Sequence, residues 1–238
     1  MIIVLKRKLL RYAALAAAFI VAALALPAAL ADTAAVFAPA GSRVPHAWVI
    51  DAGHGGEDGG AVAADGTRES EINLAIAQRL DALLVFLGEE TCMTRTEDVS
   101  IHDAGASTLR EKKRSDLENR VELVNNTQGN ILVSIHQNSL PSSKRTHGAQ
   151  VFYGKKEGSA ELASAVQLAL NQTVNAGNVK TEKAIDGTIF LMKNVRMPAI
   201  LIECGFLSNS AETALLKSEA YQQKLAVIIA AGILSAMQ

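Results

Sequence analysis

The chain has 238 residues, which is enough for one substantial domain and a short appendage. Its composition, 49% hydrophobic and 20% charged, is typical of a globular protein and excludes a disordered one. The formal net charge of −1 shows no basic excess, so we expect no nucleic-acid partner.

The first 31 residues have the pattern of an export signal. A basic stretch at 6–11 precedes an apolar run at 12–26, and Ala29-Leu30-Ala31 fits a signal-peptidase site. We predict a signal peptide at 1–31 that is cleaved before Asp32. Because the apolar run is nearly long enough to span a bilayer, a retained N-terminal membrane anchor is the alternative. In both cases we expect the rest of the chain to be exported across the cytoplasmic membrane.

Residues 32–45 are rich in Ala, Pro and Gly without periodicity, so we interpret them as a linker before a single domain at 46–238. In that domain, continuously apolar runs alternate with segments of helical spacing. This pattern predicts an α/β fold, with one mixed, mostly parallel sheet flanked by helices on both faces. The predicted strands are 47–50, 90–94, 131–136, 149–153 and 199–205, and the main predicted helices are 72–87, 115–126, 159–170 and 219–236.

Two helix starts bear on the predicted site. Ser70 has the features of an N-cap, which would leave Glu69 just outside the helix and pointing outward. The residues at 115–118 fit a capping box, so the long polar segment 98–114 is expected to precede that helix. Its charge run at 110–114 is interpreted as a solvated face, with a binding patch as the alternative.

The chain has two cysteines, Cys92 and Cys204. Both lie in strand-like apolar contexts, so we interpret them as small buried thiols. A disulfide between them is the alternative in an exported protein, and the spacing does not decide between the two.

Three of the predicted strands end in a side chain that can bind a metal or transfer a proton. His54 follows the first strand in a glycine-rich turn, His136 ends the strand at 131–136, and Glu203 lies at the end of the last strand. The carboxyl ends of parallel strands meet at one edge of a sheet, so we expect these residues to converge. Glu69, held at a helix start after the first strand, can reach the same place.

Two imidazoles and one carboxylate would form a three-ligand zinc set with one open position, which is typical of catalytic rather than structural sites. Glu203 would then act as the general base and acid. The alternative is structural: His54 bonds the backbone in its turn, His136 is a satisfied core histidine, and Glu203 forms a salt bridge. From spacing alone both interpretations stay open.

Other residues compete for the ligand positions. Glu57 and Glu71 are alternatives to Glu69 as the carboxylate ligand. Among the remaining histidines, which are His46, His102 and His147, one lies in a polar loop and two precede strands instead of ending them. We therefore expect these three histidines not to be ligands.

Four segments in this order resemble the four motifs of the zinc-dependent N-acetylmuramoyl-L-alanine amidases. They are IDAGHGG (50–56), ESEINLA (69–75), SIHQN (134–138) and IECGFLSN (202–209). The resemblance extends from about residue 46 to the end of the chain. It implies that His54, Glu69 and His136 bind one Zn²⁺ and that Glu203 is the catalytic glutamate. It also implies hydrolysis of the amide between muramic acid and the first L-alanine of the peptidoglycan stem peptide.

The segment TLREKKRSDLENR (108–120) and the order of signal, linker and single domain resemble the spore-cortex amidases of endospore formers, the CwlD type. This resemblance implies a role in cortex maturation during sporulation or germination. Stem peptides would be removed before a partner deacetylase acts and muramic-δ-lactam forms. It further implies an activating lipoprotein as a partner, and a location in the cell wall or the spore intermembrane space.

Three alternative functions stay open. A general cell-wall remodelling or daughter-cell-separation amidase would catalyse the same reaction. A related zinc peptidase of the same fold would cut another amide, and a non-catalytic wall-binding module would keep the site only for its shape. Product analysis separates the first two classes, because a free N-terminal L-alanine marks the amidase.

Overall fold

The computed structural model describes residues 47–127, 131–185 and 187–237. The predicted signal peptide at 1–31 and linker at 32–45 lie outside these residues, and the predicted boundaries stay predictions. Within the described part of the chain, no helix combines the length and the apolar character that a bilayer span requires.

Six strands form one sheet: β1 (Ala47–Ala52), β2 (Glu90–Met93), β3 (Ile131–Asn138), β4 (Gln150–Tyr153), β5 (Lys183–Ala184) and β6 (Ala199–Phe206). Their order across the sheet is β2-β1-β3-β6-β4-β5. Four neighbouring pairs are parallel, and β4 pairs antiparallel with β6. The predicted mixed, mostly parallel sheet is therefore confirmed.

The described residues form six helices: α1 (Glu69–Phe86), α2 (Leu109–Asn126), α3 (Ser159–Asn171), α4 (Phe190–Asn194), α5 (Ser210–Leu216) and α6 (Glu219–Ser235). Helices α1, α3 and α6 share a large apolar cluster that includes Leu80, Val166 and Ile229. Helices α2 and α4 contribute Val124 and Leu191 to a smaller cluster. Alternate residues of the strands enter one cluster or the other, so the sheet is covered on both faces, as predicted.

The pleat of the central strands places the site on the face with the smaller cluster. Ile135 and Ile202 enter the large cluster, whereas the residues that follow them, His136 and Glu203, line a cleft on the other face. The register pairs His136 of β3 with Glu203 of β6. Neighbouring strands lie about 4.8 Å apart, so these two side chains are cross-strand neighbours.

Helix α1 begins at Glu69, so the predicted N-cap at Ser70 is wrong. The reason is a local pairing: the backbone N–H of Glu69 donates to the carbonyl of Ala61, and a carboxylate oxygen of Glu69 accepts from the N–H of Ala61. Glu69 is thereby buried in the first helical turn instead of pointing outward.

Helix α2 also begins earlier than predicted. Its capping box is formed by Thr108 and Glu111, which have the same spacing as the predicted box at 115–118. The charge run at 110–114 consequently lies on the first turns of the helix and not before it. This shift decides which of its side chains face the cleft.

Cys92 and Cys204 are free thiols. Two strands, β1 and β3, separate β2 from β6 in the sheet, which is beyond the reach of about 7 Å between the Cα atoms of a disulfide. Cys204 is buried, as predicted, and burial raises its pKa, whereas Cys92 is only half-buried.

Candidate metal centre

The turn after β1 presents His54 in an unusual backbone conformation. Its φ is 62°, in the left-handed region that few residues other than glycine adopt. Two buried arginines hold this turn. Arg95 donates to the carbonyl oxygens of Ala52 and Gly53 at 2.9 and 3.1 Å. Arg120 donates to the carbonyl oxygens of Ala52 and His54 at 2.9 and 2.8 Å.

Arg120 is only 2% exposed, and its charge is neutralised locally. Its guanidinium lies 2.6 Å from Asp51 and 2.8 Å from Asp116. Burial alone would lower the pKa of Arg120, but these two carboxylates raise it. Asp51 also accepts from the hydroxyl of Ser134 at 2.6 Å. This buried network joins α2 to β1 and β3 directly beneath the His54 turn.

The carboxylate of Glu69 is oriented by several donors. One oxygen accepts from the N–H of Ala61 at 2.8 Å. The other accepts from the N–H of Gln137 at 3.1 Å and from the side-chain amide of Asn73 at 3.3 Å. The backbone of Glu69 is fixed in the first turn of α1, and its carboxylate is held by these hydrogen bonds. The side chain therefore has little conformational freedom.

The structure brings His54, Glu69 and His136 together. One ligand atom from each lies within 4.8 Å of those of the other two, and no other such group of three occurs in the described ranges. Oε1 of Glu69 lies 3.4 Å from Nε2 of His54 and 2.9 Å from Nδ1 of His136. The two rings meet edge to face, with centroids 5.1 Å apart.

Two glycines make room for this cluster. A Cβ at Gly53 would collide with the ring of His136. A Cβ at Gly60, where φ is 67°, would lie 2.5 Å from a carboxylate oxygen of Glu69 and 2.7 Å from the ring of His54. Only glycine permits this close approach of the backbone to the three side chains.

The electrostatics of the cluster fit a cation. Nδ1 of His54 bonds Asp58 at 2.9 Å, which leaves Nε2 facing Glu69. Burial lowers the pKa of His54, but the hydrogen bonds to Asp58 and Glu69 raise it to about 9. The carboxylates thus favour positive charge at this point. Two nitrogens and one oxygen, with a carboxylate behind one imidazole, form a donor set that Zn²⁺ accepts.

Glu203 lies in the same cleft, which has a volume of about 480 Å³ and is also lined by His54, Glu69 and His136. Its Oε2 atom is buried and has no hydrogen-bond partner among the residues that the structure describes. Burial raises the pKa of Glu203 to about 7, although the histidines oppose that rise. A buried carboxylate oxygen without a partner is costly, and a carboxyl group with a pKa near neutral pH can both accept and release a proton.

The competing candidates lie elsewhere. Glu57 is on the surface, where it pairs with Lys112 at 2.7 Å, and Glu71 is exposed on α1. His102 bonds the hydroxyl of Ser100, and His147 is in an exposed loop. His46 lies outside the described residues.

Sequence reasoning missed three residues that support the candidate ligands, which are Asp58, Arg95 and Arg120. The sequence contained a weak indication that Asp58 could bond His54, since it follows that histidine by four residues in the glycine-rich turn. Arg120 carried a better one: it lies at helical spacing between Asp116 and Val124, and these three residues form the buried face of α2.

The model of the family Amidase_3, described as "N-acetylmuramoyl-L-alanine amidase", matches residues 49–235 of this chain. The chain belongs to this family. The prediction that the protein is an enzyme of the N-acetylmuramoyl-L-alanine amidase family, made from the four sequence motifs, is confirmed.

The amidase is 37% identical over 185 residues to the germination-specific N-acetylmuramoyl-L-alanine amidase of Bacillus subtilis (strain 168), covering 78% of this chain and 77% of the relative. Its fold is similar to that of the CwlD amidase from Clostridioides difficile, solved in complex with the GerS lipoprotein. That similarity has a TM-score of 0.76 at 40% identity and covers 80% of this chain and 97% of the other.

A third relative is the catalytic domain of CwlV from Bacillus (Paenibacillus) polymyxa var. colistinus. It aligns with a TM-score of 0.67 at 30% identity, over 80% of this chain and 97% of that domain. The predicted fold class and the resemblance to the CwlD type are both confirmed.

Proposed function

We propose that this amidase hydrolyses the amide bond between N-acetylmuramic acid and L-alanine in peptidoglycan, and that it depends on zinc. The observation that carries the proposal is the presence of His54, Glu69, His136 and Glu203 in one cleft. Membership in the amidase family supports the choice of peptidoglycan as the substrate.

His54, Glu69 and His136 would hold the zinc ion, which supplies Lewis-acid chemistry when bound: it polarises the scissile carbonyl and makes a water molecule more acidic. Asp58 holds the His54 ring with Nε2 turned to the centre. Arg95 and Arg120 hold the backbone of the same turn.

Glu203 moves the proton. As a carboxylate it takes one proton from the attacking water, and as a carboxylic acid it delivers that proton to the nitrogen of the leaving L-alanine. The reaction adds one water across the amide: the hydroxyl group joins the muramoyl carbonyl carbon, the bond from that carbon to the nitrogen breaks, and the nitrogen receives one proton. The new carboxylic acid then gives its proton to the amine, so the products are a carboxylate and an ammonium group. Glu203 returns to its starting state.

We further propose that the amidase acts in cortex maturation during sporulation or germination, in which deacetylation of the stripped muramic acid by a partner enzyme allows muramic-δ-lactam to form. The similarity to a germination-specific amidase supports this role. An activating lipoprotein partner is proposed on the similarity to a CwlD structure that contains one. The site of action would be outside the cytoplasmic membrane, in the cell wall or the spore intermembrane space.

The reaction is tested by digesting purified muropeptides with the zinc-loaded protein, with and without candidate lipoproteins, and by mass spectrometry of the products. We expect peptides with a free N-terminal L-alanine and a muramic acid with a free lactyl carboxylate. Cleavage at another amide would instead identify a related peptidase. No cleavage under any of these conditions, with zinc bound, would contradict the proposal.

Zinc dependence has its own test in matched pairs of variants. Glu69→Gln and His54→Ala are expected to lose the single equivalent of zinc measured by atomic emission. Their controls, Glu71→Gln and His102→Ala, change the same residue types away from the cluster and should retain it. Equal zinc contents in a variant and its control would remove that residue from the ligand set.

A further inference from the structure

Beyond the metal centre, the cleft continues along helix α2. A groove of about 340 Å³, here called the α2 groove, is lined by Arg110, Lys113, Arg114, Leu117 and Phe190. Three of these residues, Lys113, Leu117 and Phe190, also line the cleft that holds the metal centre. The two spaces therefore adjoin each other, and the α2 groove lies directly beside the site.

A second adjoining space lies on the other side of Glu203. A groove of about 250 Å³, the β4–β5 groove, shares Glu203 and Leu201 with the central cleft and extends over Phe152 and Ile185. Of the described residues that line it, Lys183 is the single cation. The site thus lies between two grooves of different charge.

The α2 groove is cationic because of the early start of α2. Residues Arg110, Lys113, Arg114 and Leu117 follow the spacing i, i+3, i+4 and i+7, which places them on one face of a helix. Lys112 points away from that face and pairs with Glu57 at the surface. The predicted solvated face is confirmed for Arg110, Lys113 and Arg114, which are exposed, whereas Lys112 is half-buried. The same three exposed cations border the groove.

These cations are weakly compensated. Arg114 bonds Glu118 at 2.9 Å in an exposed pair, which solvent screens strongly. Lys113 lies 3.2 Å from Asp58, which is already bonded to His54. Arg110 has no ion pair with any residue that the structure describes. The groove has an apolar wall, formed by Leu117 and Phe190, beneath positive charge that is available to an anion.

We propose that the α2 groove binds the stem-peptide side of the substrate through the free carboxylates of that peptide, and that the β4–β5 groove takes the sugar side. This inference rests on the proposed function. The two sides of the scissile amide differ in charge: the muramoyl side is neutral, because its lactyl carboxyl group is within the amide, whereas the peptide side is an acidic peptide. The cationic groove matches the acidic side, and the apolar wall suits its short aliphatic side chains.

The test compares two muropeptides that differ only in whether the peptide carboxylates are free or amidated. In Arg110→Gln/Arg114→Gln we expect KM for the free form to rise about tenfold, since each lost exposed ion pair is worth up to ~1 kcal/mol. KM for the amidated form should change less than twofold, and kcat should change for neither. The matched control is Lys224→Gln, which removes an exposed charge on α6 and should alter no parameter.

Equal losses on both substrates, or no loss on either, would overturn the assignment of the α2 groove. The preference for the muropeptide with free carboxylates could instead be abolished by Lys183→Gln and not by the double variant. That result would place the peptide side in the β4–β5 groove and overturn the proposed orientation of the substrate. Thermal melting of each variant shows whether it is folded.

A binding measurement separates this inference from the proposed reaction. Calorimetry of the two muropeptides with the Glu203→Gln protein needs no turnover. Tighter binding of the free form that is lost in the Arg110→Gln/Arg114→Gln background supports the groove even where the native protein cleaves neither muropeptide. If the native protein cleaves both muropeptides and the free form binds no more tightly than the amidated form, the proposed reaction stands and the assignment of the peptide side to the α2 groove is wrong.

Discussion

The two faces of the sheet hold their helices by different means. Under α1, α3 and α6 lies one contiguous apolar cluster that includes buried residues such as Leu80 and Ile229. Under α2 the apolar cluster is small, and the space against β1 is filled by the ionic network of Arg120, Asp51 and Asp116. Apolar contacts are not directional, whereas each hydrogen bond of the network requires a particular donor and acceptor at a defined distance and angle.

This difference separates stability from positioning. A side chain shortened on the apolar face costs burial and leaves a cavity, but it leaves no charge or hydrogen-bonding group unpaired. On the polar face, removing one member of the network leaves a buried charge without its partner. We infer that the first face mainly stabilises the domain and that the second holds the His54 turn in place.

The largest expected effect is at the floor of the cleft. In Glu203→Gln we expect kcat to fall by about 10²–10⁴-fold, because the proposed proton transfer by Glu203 is lost. The melting temperature should stay equal or rise, since a half-buried carboxylate, one oxygen of which is buried without a partner, is replaced by a neutral amide. Kinetics on muropeptides and calorimetric melting measure both. Glu161→Gln, an exposed change on α3, is the control, and a Glu203→Gln protein as active as this control would remove Glu203 from the mechanism.

On the polar face, Arg120→Met should lower the free energy of unfolding by about 3–5 kcal/mol, because Asp51 and Asp116 are left buried and unpaired. It should also weaken zinc binding by about 10–100-fold through the released His54 turn. Urea unfolding and zinc titration against a competing chelator measure these effects. Arg120→Lys keeps the positive charge but loses the forked donors of the guanidinium. Its free energy of unfolding and its zinc affinity should lie between those of the native protein and of Arg120→Met.

On the apolar face, Leu80→Ala should lower the free energy of unfolding by about 2–5 kcal/mol, from lost burial and the cavity that remains. In the same chelator titration, the folded Leu80→Ala protein should bind zinc as tightly as the native one. If Leu80→Ala weakens zinc binding as much as Arg120→Met does, the two faces do not divide stability from positioning.

The smallest effect concerns the first turn of α2. Thr108→Ala removes the cap that accepts from the N–H of Glu111, which should cost about 1 kcal/mol of stability. Since Arg120 lies three turns further along, zinc affinity should not change. Thr108→Ser retains the hydroxyl and should restore the lost stability in urea unfolding. A Thr108→Ala protein with native stability would show that another residue caps the helix.

Much of the architecture could be predicted from apolar patterning, because buried parallel strands and amphipathic helices have different periods. The helix starts were harder. Thr108-x-x-Glu111 and Ser115-x-x-Glu118 have the same local pattern, and the choice between them depends on contacts outside the helix. In the folded chain Ser115 bonds Asp103, and so does not cap a helix.

The amino-acid sequence alone determined that His136 and Glu203 belong to two buried strands and that His54 follows a third, because continuous apolar runs mark those strands. Strand order across the sheet came from the tertiary structure, which also extends β6 three residues beyond Glu203. Tertiary structure decided that Glu69, not Glu57 or Glu71, joins the histidines. It also decided that Arg120 is buried and Arg110 is not, although both lie on the same helix. The physical reason is that a charged group's role depends on its desolvation and its partners, and these come from residues distant in the chain.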